Sequence, residues 1–254
     1  MTAMTPVFAG LDAVTLGYAV AVVFVAAFVR GYSGFGSSAL IITGLSLVLP
    51  PAEIVPIALL MEIAASIGLL PQIWKDVPWR MLGLLLAGAA VGMPAGFAML
   101  AAFPVDVMRA VVGGLVLAAS VLLWVGVRFR GDPRAPHILG TGLVSGLANG
   151  VAAVGGLPVV LFLLSSTAGV VMSRATLIVY LMVGDIYAVG VAGANDLMTI
   201  EVFQRSALFL APLFLGVWLG NRHFLATSPD SFRRFALLLL MALSIAVLLR
   251  AALG

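Results

Sequence analysis

The sequence has no cysteine and only two histidines, His137 and His223, among 254 residues. The first absence removes disulfides, thiolate nucleophiles and sulfur-ligated metals. The second leaves little for acid–base catalysis, and no His-Glu-x-x-His motif or carboxylate–histidine cluster offers a metal site. No metal and no cofactor is therefore expected. Charge is scarce as well: 9% of residues are charged and 63% hydrophobic, against roughly 25% and 45–50% in an average soluble domain. That balance excludes an ordinary soluble fold. The net charge of +3 comes from arginines at the ends of apolar segments and not from a basic patch interleaved with aromatics. It reports membrane topology, so no nucleic-acid partner is expected. The first basic residue is Arg30, so the N-terminus lacks the positive region of a cleavable signal peptide, and the first apolar segment is expected to stay in the mature chain.

What remains is a chain for a lipid bilayer, with no soluble module expected beside it. Hydropathy, punctuated by proline and charge, gives ten segments near 11–30, 34–49, 54–73, 81–102, 105–127, 137–150, 156–170, 174–192, 201–222 and 230–249. The second five echo the first in order. "RGYSGFG" aligns with "NGVAAVGG", "AGAAVGMPAGF" with "FLGVWLGNRHF", and "FPVDVMRAVV" with "SPDSFRRFAL". The offset grows only from 119 (Arg30 to Asn149) to 125 (Arg109 to Arg234).

Five crossings per repeat would force the halves into opposite orientations, the plan of many secondary transporters. Arg30 aside, ten crossings place Lys75, Arg80, Arg128, Arg130, Arg134, Arg174, Arg222, Arg233 and Arg234 on one face and Arg109, Arg205 and Arg250 on the other, nine against three. Re-entrant second and seventh segments would give seven against five, so the positive-inside rule favours ten crossings with both termini periplasmic. The expectation is an all-α integral membrane protein of ten transmembrane helices, built as two inverted-topology five-helix repeats with Gly-rich helix breaks. Residues 1–127 form the first repeat, 128–136 a cytoplasmic connecting loop and 137–254 the second repeat. Trp74, Trp79, Trp124 and Trp218 fall near the arginine-rich face and read as interface anchors.

The breaks carry the chemistry. Glycines at 31, 34 and 36, and at 150, 155 and 156, permit unusual backbone angles and close approach to a ligand. A broken helix leaves free N–H groups and a positive dipole end inside the membrane. Ser33, Ser37 and Ser38 add hydroxyl donors, Arg30 a planar cationic fork suited to oxyanions, and Asn149 amide hydrogens at the matching place. Arg30, Gly31, Ser33, Gly34, Gly36, Ser37, Ser38, Asn149, Gly150, Gly155 and Gly156 are thus the expected anion-binding residues. Arg30 also ends a segment of about 20 residues, so snorkelling to the interface is the competing reading. Gly88, Gly92, Gly96, Gly216 and Gly220 read instead as small-residue helix contacts.

Two acids lie deep in the apolar segments. Glu62 stands about two turns into the third and Asp185 about three turns into the eighth, 123 residues apart and so approximate partners in the repeat. Intramembrane carboxyls are costly and default to function, here proton coupling. The alternative is structural pairing, with Ser66, Tyr187 or backbone as partner. An inside-negative potential already favours anion exit by about 2.3 kcal/mol per charge per 100 mV, so coupling is not obligatory.

The two halves, the segment starts "GYSGFGSS" and "VGGLPVV", and the stretches "LAGAAVGMPAGF" and "LGVWLGNRHF" together resemble the TauE/SafE family. This is the sulfite exporter family of bacterial and archaeal membrane proteins. The resemblance covers nearly the whole chain, although "GVAAVGG" is thinner in glycine than the family's stretches often are. It implies a secondary transporter that exports sulfite or small organosulfonates such as sulfoacetate across the bacterial cytoplasmic membrane. Import of the same anions is the alternative, and a homodimer stays open. An intramembrane enzyme is disfavoured: "GYSG" places a serine between glycines, but both histidines fall at loop edges. No catalytic residue is expected.

Overall fold

The computed structural model of the chain describes residues 10–33, 36–67, 73–126, 134–165, 170–224 and 229–253. Among them are ten α-helices: α1 (Ala13–Ser33), α2 (Ser37–Leu45), α3 (Pro51–Ile67), α4 (Trp79–Ala102), α5 (Val105–Val125), α6 (Ala135–Ala152), α7 (Gly156–Ser165), α8 (Val170–Ala194), α9 (Ile200–Phe224) and α10 (Pro229–Leu253). Local sequence explains their ends. Asp12 caps α1, its carboxylate accepting from the Thr15 amide at 2.8 Å and from the Thr15 hydroxyl at 3.1 Å. Pro51 opens α3, where its missing N–H has no intrahelical acceptor to lose. Gly126, with φ of 69°, closes α5 and donates its N–H to the Leu122 carbonyl.

Ten crossings do not survive. Among the described residues, only α1, α4, α5, α8, α9 and α10 are long and apolar enough to cross a bilayer. At 1.5 Å per residue the nine residues of α2 and ten of α7 reach only about 14 and 15 Å, half of a hydrocarbon core about 30 Å thick. The seventeen-residue α3 is also short, and the eighteen of α6 include Pro136, His137, Thr141, Ser145 and Asn149. The nine-to-three charge split rested on ten crossings and loses its basis, while the six long helices fall three to each half, α1, α4 and α5 in the first and α8, α9 and α10 in the second.

The half-length helices occupy the middle of the bundle. Ala39 to Leu45 of α2 and Val159 to Leu163 of α7 are buried, whereas Val14, Val91, Val125, Ile200 and Leu253 on the long helices lie exposed, as lipid-facing residues should. Packing joins early helices to late ones: α4 lies along α6, α1 along α9, α5 along α10 and α3 along α8. Glycines make two of these seams. Gly88, Gly92 and Gly96 of α4 interleave with Gly142, Gly146 and Gly150 of α6 so closely that a Cβ on any of them would strike the partner's backbone. Gly216 of α9 likewise meets the Phe24 carbonyl of α1. Helix association in lipid depends on such close backbone approach, because apolar burial gives no advantage over lipid tails.

Candidate functional site

α1 ends and α2 begins around Gly36, whose φ of 91° a side chain would disfavour. The corresponding turn between α6 and α7 passes through Ala153 at φ 52°, a left-handed conformation that a non-glycine residue adopts at some cost. Each turn brings the last residues of a long helix beside the first of a short one. Two buried polar clusters result.

In the first cluster Arg30, in the last turn of α1, is 4% exposed and points inward. Snorkelling is thereby ruled out. Its guanidinium is ion-paired with Glu62 of α3. Arg30 Nη1 donates to Ser37 Oγ at 3.1 Å, and Nη2 donates to Ser66 Oγ at 2.9 Å. Ser37 Oγ passes its own proton toward Glu62 Oε2 at 2.8 Å, while Ser66 Oγ donates to the Glu62 backbone carbonyl at 2.8 Å. Two hydroxyls and two opposite charges form one closed network across α1, α2 and α3. Such a pair holds together inside a bilayer because the charges cancel and the remaining lone pairs are met.

In the second cluster Asn149, in the last turn of α6, plays the corresponding part without charge. Its Nδ2 donates to Asp185 Oδ1 of α8 at 2.9 Å, and its Oδ1 accepts from the Gly155 amide at 3.1 Å. One turn earlier, Ser145 Oγ donates to the Gly155 carbonyl and lies 2.6 Å from the Tyr180 hydroxyl, which donates to it. Asp185 Oδ2 is buried with no hydrogen-bond partner among the described residues. Because α3 packs on α8, the clusters adjoin, and the charges of Arg30 and Asp185 interact.

The other expected site residues scatter. Gly31 faces the Val217 backbone of α9 and Gly150 faces Met93 and Phe97 of α4, both as helix contacts. Gly155 lies under the Asn149 side chain, and Gly156 opens α7 near Leu181. Ser38 is half-buried in the first turn of α2. Gly34 lies outside the described residues, as does the side chain of Ser33. Tyr187 does not reach Asp185: its hydroxyl donates to the Ala90 carbonyl at 3.1 Å. Ser145 and Tyr180 escaped the sequence reading. Ser145 was within reach of it, since it stands one helical turn from Asn149 and so on the same face.

Two further buried arginines hold the link between α2 and α3 at its other end. Arg109 Nε donates to the Ser46 carbonyl at 2.9 Å while its Nη1 reaches Asp106 at 2.8 Å, and Arg205 pairs with Glu53. An apolar cavity of about 510 Å³ between α4, α5, α6 and α7 is lined by residues such as Met99, Val111, Val144 and Phe162 and by neither Arg30 nor Asn149. Leu115, Leu122 and Leu147 on its wall are exposed, so it opens on the outside of the bundle, away from the polar centre. All four tryptophans are about half exposed, Trp74 against Trp79 and Trp218 beneath the Arg222 guanidinium at 4.4 Å. None belongs to the buried clusters.

The sequence model of the "Sulfite exporter TauE/SafE" family matches residues 19–247. A curated relative, the "Probable inner membrane transporter protein TsaS" of Comamonas testosteroni, is 29% identical over 195 residues, which cover 73% of this chain and 79% of that protein. No solved structure matches. The chain belongs to the TauE/SafE family and is a multi-pass membrane transporter, not an enzyme.

Proposed function

We propose that this TauE/SafE member is an inner-membrane carrier for sulfite or small organosulfonate anions such as sulfoacetate, with its site between the two breaks. The observation that carries the reading is Arg30, a guanidinium 4% exposed among hydroxyl partners that can turn to a ligand. Its planar fork matches the paired oxygens of a sulfite or sulfonate group. Asn149 supplies an amide from the second break, and the N-terminal ends of α2 and α7, which open at the two breaks, contribute positive dipole. Alternating access follows if one part of the bundle rocks against the other around this centre.

Export is the direction that the family's description favours, and an internally produced anion would then leave down its own gradient. Import is favoured by a different observation, the neutralisation of Arg30 by Glu62: an anion that displaces this carboxylate would travel with a proton, and an acidic exterior would draw both inward. The test is binding of sulfite, sulfoacetate, taurine and sulfate to purified protein by calorimetry, wild type beside Arg30→Ala. Selective binding of one or two of these, weakened at least about 30-fold in the variant, is expected from loss of a buried charged partner worth about 2 kcal/mol or more. Wild-type affinity in a folded Arg30→Ala protein would exclude this site.

A further inference from the structure

A transporter whose cation at the proposed site is already bound to a carboxylate has to release one anion before it can hold another. We propose that Glu62 is a built-in competitor for the transported anion: it occupies Arg30 and Ser37 at rest and yields them only when it takes up a proton. This rests on the anion site proposed above. One proton then accompanies each anion.

Charge and hydrogen bonding both bear on this exchange. Arg30 and Glu62 together are neutral, and each of their polar partners is accounted for within the network. A sulfonate brought beside ionised Glu62 would leave a buried surplus of one negative charge, which a low-dielectric interior penalises heavily. A proton on a Glu62 carboxylate oxygen removes that surplus. The guanidinium fork is then free for the anion, Ser37 Oγ can turn from Glu62 to the ligand, and the new carboxyl O–H gives the ligand or Ser37 one more donor. One O–H bond forms on the carboxylate as one breaks in a hydronium ion on the side from which the anion enters, and the proton returns to water on the side to which the anion leaves.

The surrounding groups leave this role to few candidates. Of the charged groups on the helices packed against α3, Arg30 of α1 faces Glu62, and Asp185 of α8 lies close enough to interact with Arg30. Arg205 of α9 is engaged with Glu53, and Arg109 of α5 with Asp106 and the Ser46 carbonyl. Arg80, His137, Arg174, Glu201 and Arg222 are exposed near helix ends. Asp185 is thus the one rival proton carrier among the described residues.

Competition has a directional sign. Protonation helps the anion to bind, so proton and anion move together and not in exchange. For a singly charged sulfonate the cycle is electroneutral, and the membrane potential neither drives nor opposes it. The pH gradient and the anion gradient alone set the net flow.

The experiment is calorimetric binding of methanesulfonate, whose single charge does not change with pH, to the purified full-length protein from about pH 6 to about pH 9. The expected wild-type result is a dissociation constant that rises toward tenfold per pH unit once Glu62 ionises, which is linkage to one proton. In Glu62→Gln the affinity becomes independent of pH and at high pH exceeds that of the wild type. A flat wild-type profile overturns the inference and leaves the anion site standing, whereas undiminished binding in Arg30→Ala overturns the site itself. Loss of the slope in Asp185→Asn together with its persistence in Glu62→Gln transfers the proton to Asp185 and overturns the role given to Glu62. Should Glu62→Gln fail to fold, proton uptake by the wild type on adding methanesulfonate, read by a pH-indicator dye, decides the matter. About one proton per anion supports the inference and none overturns it. No binding of methanesulfonate, sulfite or sulfoacetate to folded protein overturns the reading on which it rests.

Discussion

The two breaks sit at matching places in the chain, yet they are held by different chemistry. At the first, a carboxylate on α3 meets a full positive charge, Arg30, with two serines closing the network. At the second, a carboxylate on α8 meets only an amide, Asn149, and keeps one oxygen without a partner. The acid is common to both and the donor differs. A charged donor can trade its carboxylate for a ligand anion of the same sign, whereas the Asn149 amide is also tied through its oxygen to the Gly155 backbone. On the function proposed above, the first cluster exchanges its carboxylate for the ligand, while in the second the Asn149 oxygen fixes the turn and its amide hydrogens face Asp185.

Removing one member from each cluster tests that contrast. Glu62→Ala strands the Arg30 charge in the bundle interior, and breaking a buried pair in this way costs about 3–5 kcal/mol. Asn149→Ala removes neutral hydrogen bonds and costs about 1–3 kcal/mol. Thermal melting in detergent should therefore fall further in Glu62→Ala than in Asn149→Ala. Equal losses would mean that Arg30 finds water or another acid once Glu62 is gone, and that the two clusters are less different than their contacts make them.

Much of this was legible in the sequence, and the failures have physical causes. Hydropathy located all ten helices within a few residues, because apolar runs bounded by Pro and Gly mark helix ends locally. It could not count crossings: the predicted 34–49 segment contains a helix of only nine residues, Ser37–Leu45, and a buried half-helix is as apolar as a spanning one. Arg30, Ser37, Asn149, Glu62 and Asp185 were all singled out, and Ser37 stands beside Arg30 and Ser66 beside Glu62, but the donor that meets each acid was not foreseen. Aligning the halves matched Arg30 with Asn149 and Glu62 with Asp185, which finds equivalent positions and not contacts. The contacts run within each half, Arg30 to Glu62 and Asn149 to Asp185, across separations that leave no local signal.

Glycine supplies a second contrast, between two seams that each join the halves, and a second prediction. The α4–α6 seam interleaves three glycines from each helix, while Gly31 and Gly216 are the glycines described at the α1–α9 seam. An added methyl at Gly92 or Gly146 meets backbone, which cannot swing aside, so Ala at either should cost about 1–3 kcal/mol through overpacking. At Gly44, by contrast, the nearest atoms belong to the Val22 side chain, which can adjust by changing rotamer, and the cost should be smaller. Melting temperatures that place Gly44→Ala below Gly92→Ala would remove close backbone approach as the basis of the α4–α6 seam.

The smallest effect is expected within one of those same seam helices. Gly140 of α6 has open space where its Cβ would stand, and Gly142, two residues along, has the Leu85 carbonyl. Residues two apart point to different sides of a helix, so α6 presents one face to α4 and another to its surroundings. Gly140→Ala adds no collision and gains the helix preference of alanine over glycine, at most about 1 kcal/mol. Its melting temperature should match or slightly exceed the wild type, while Gly142→Ala falls. A loss at Gly140 as large as at Gly142 would show that the outer face of α6 is itself a packing surface, covered in the membrane by lipid or by a second copy of the chain.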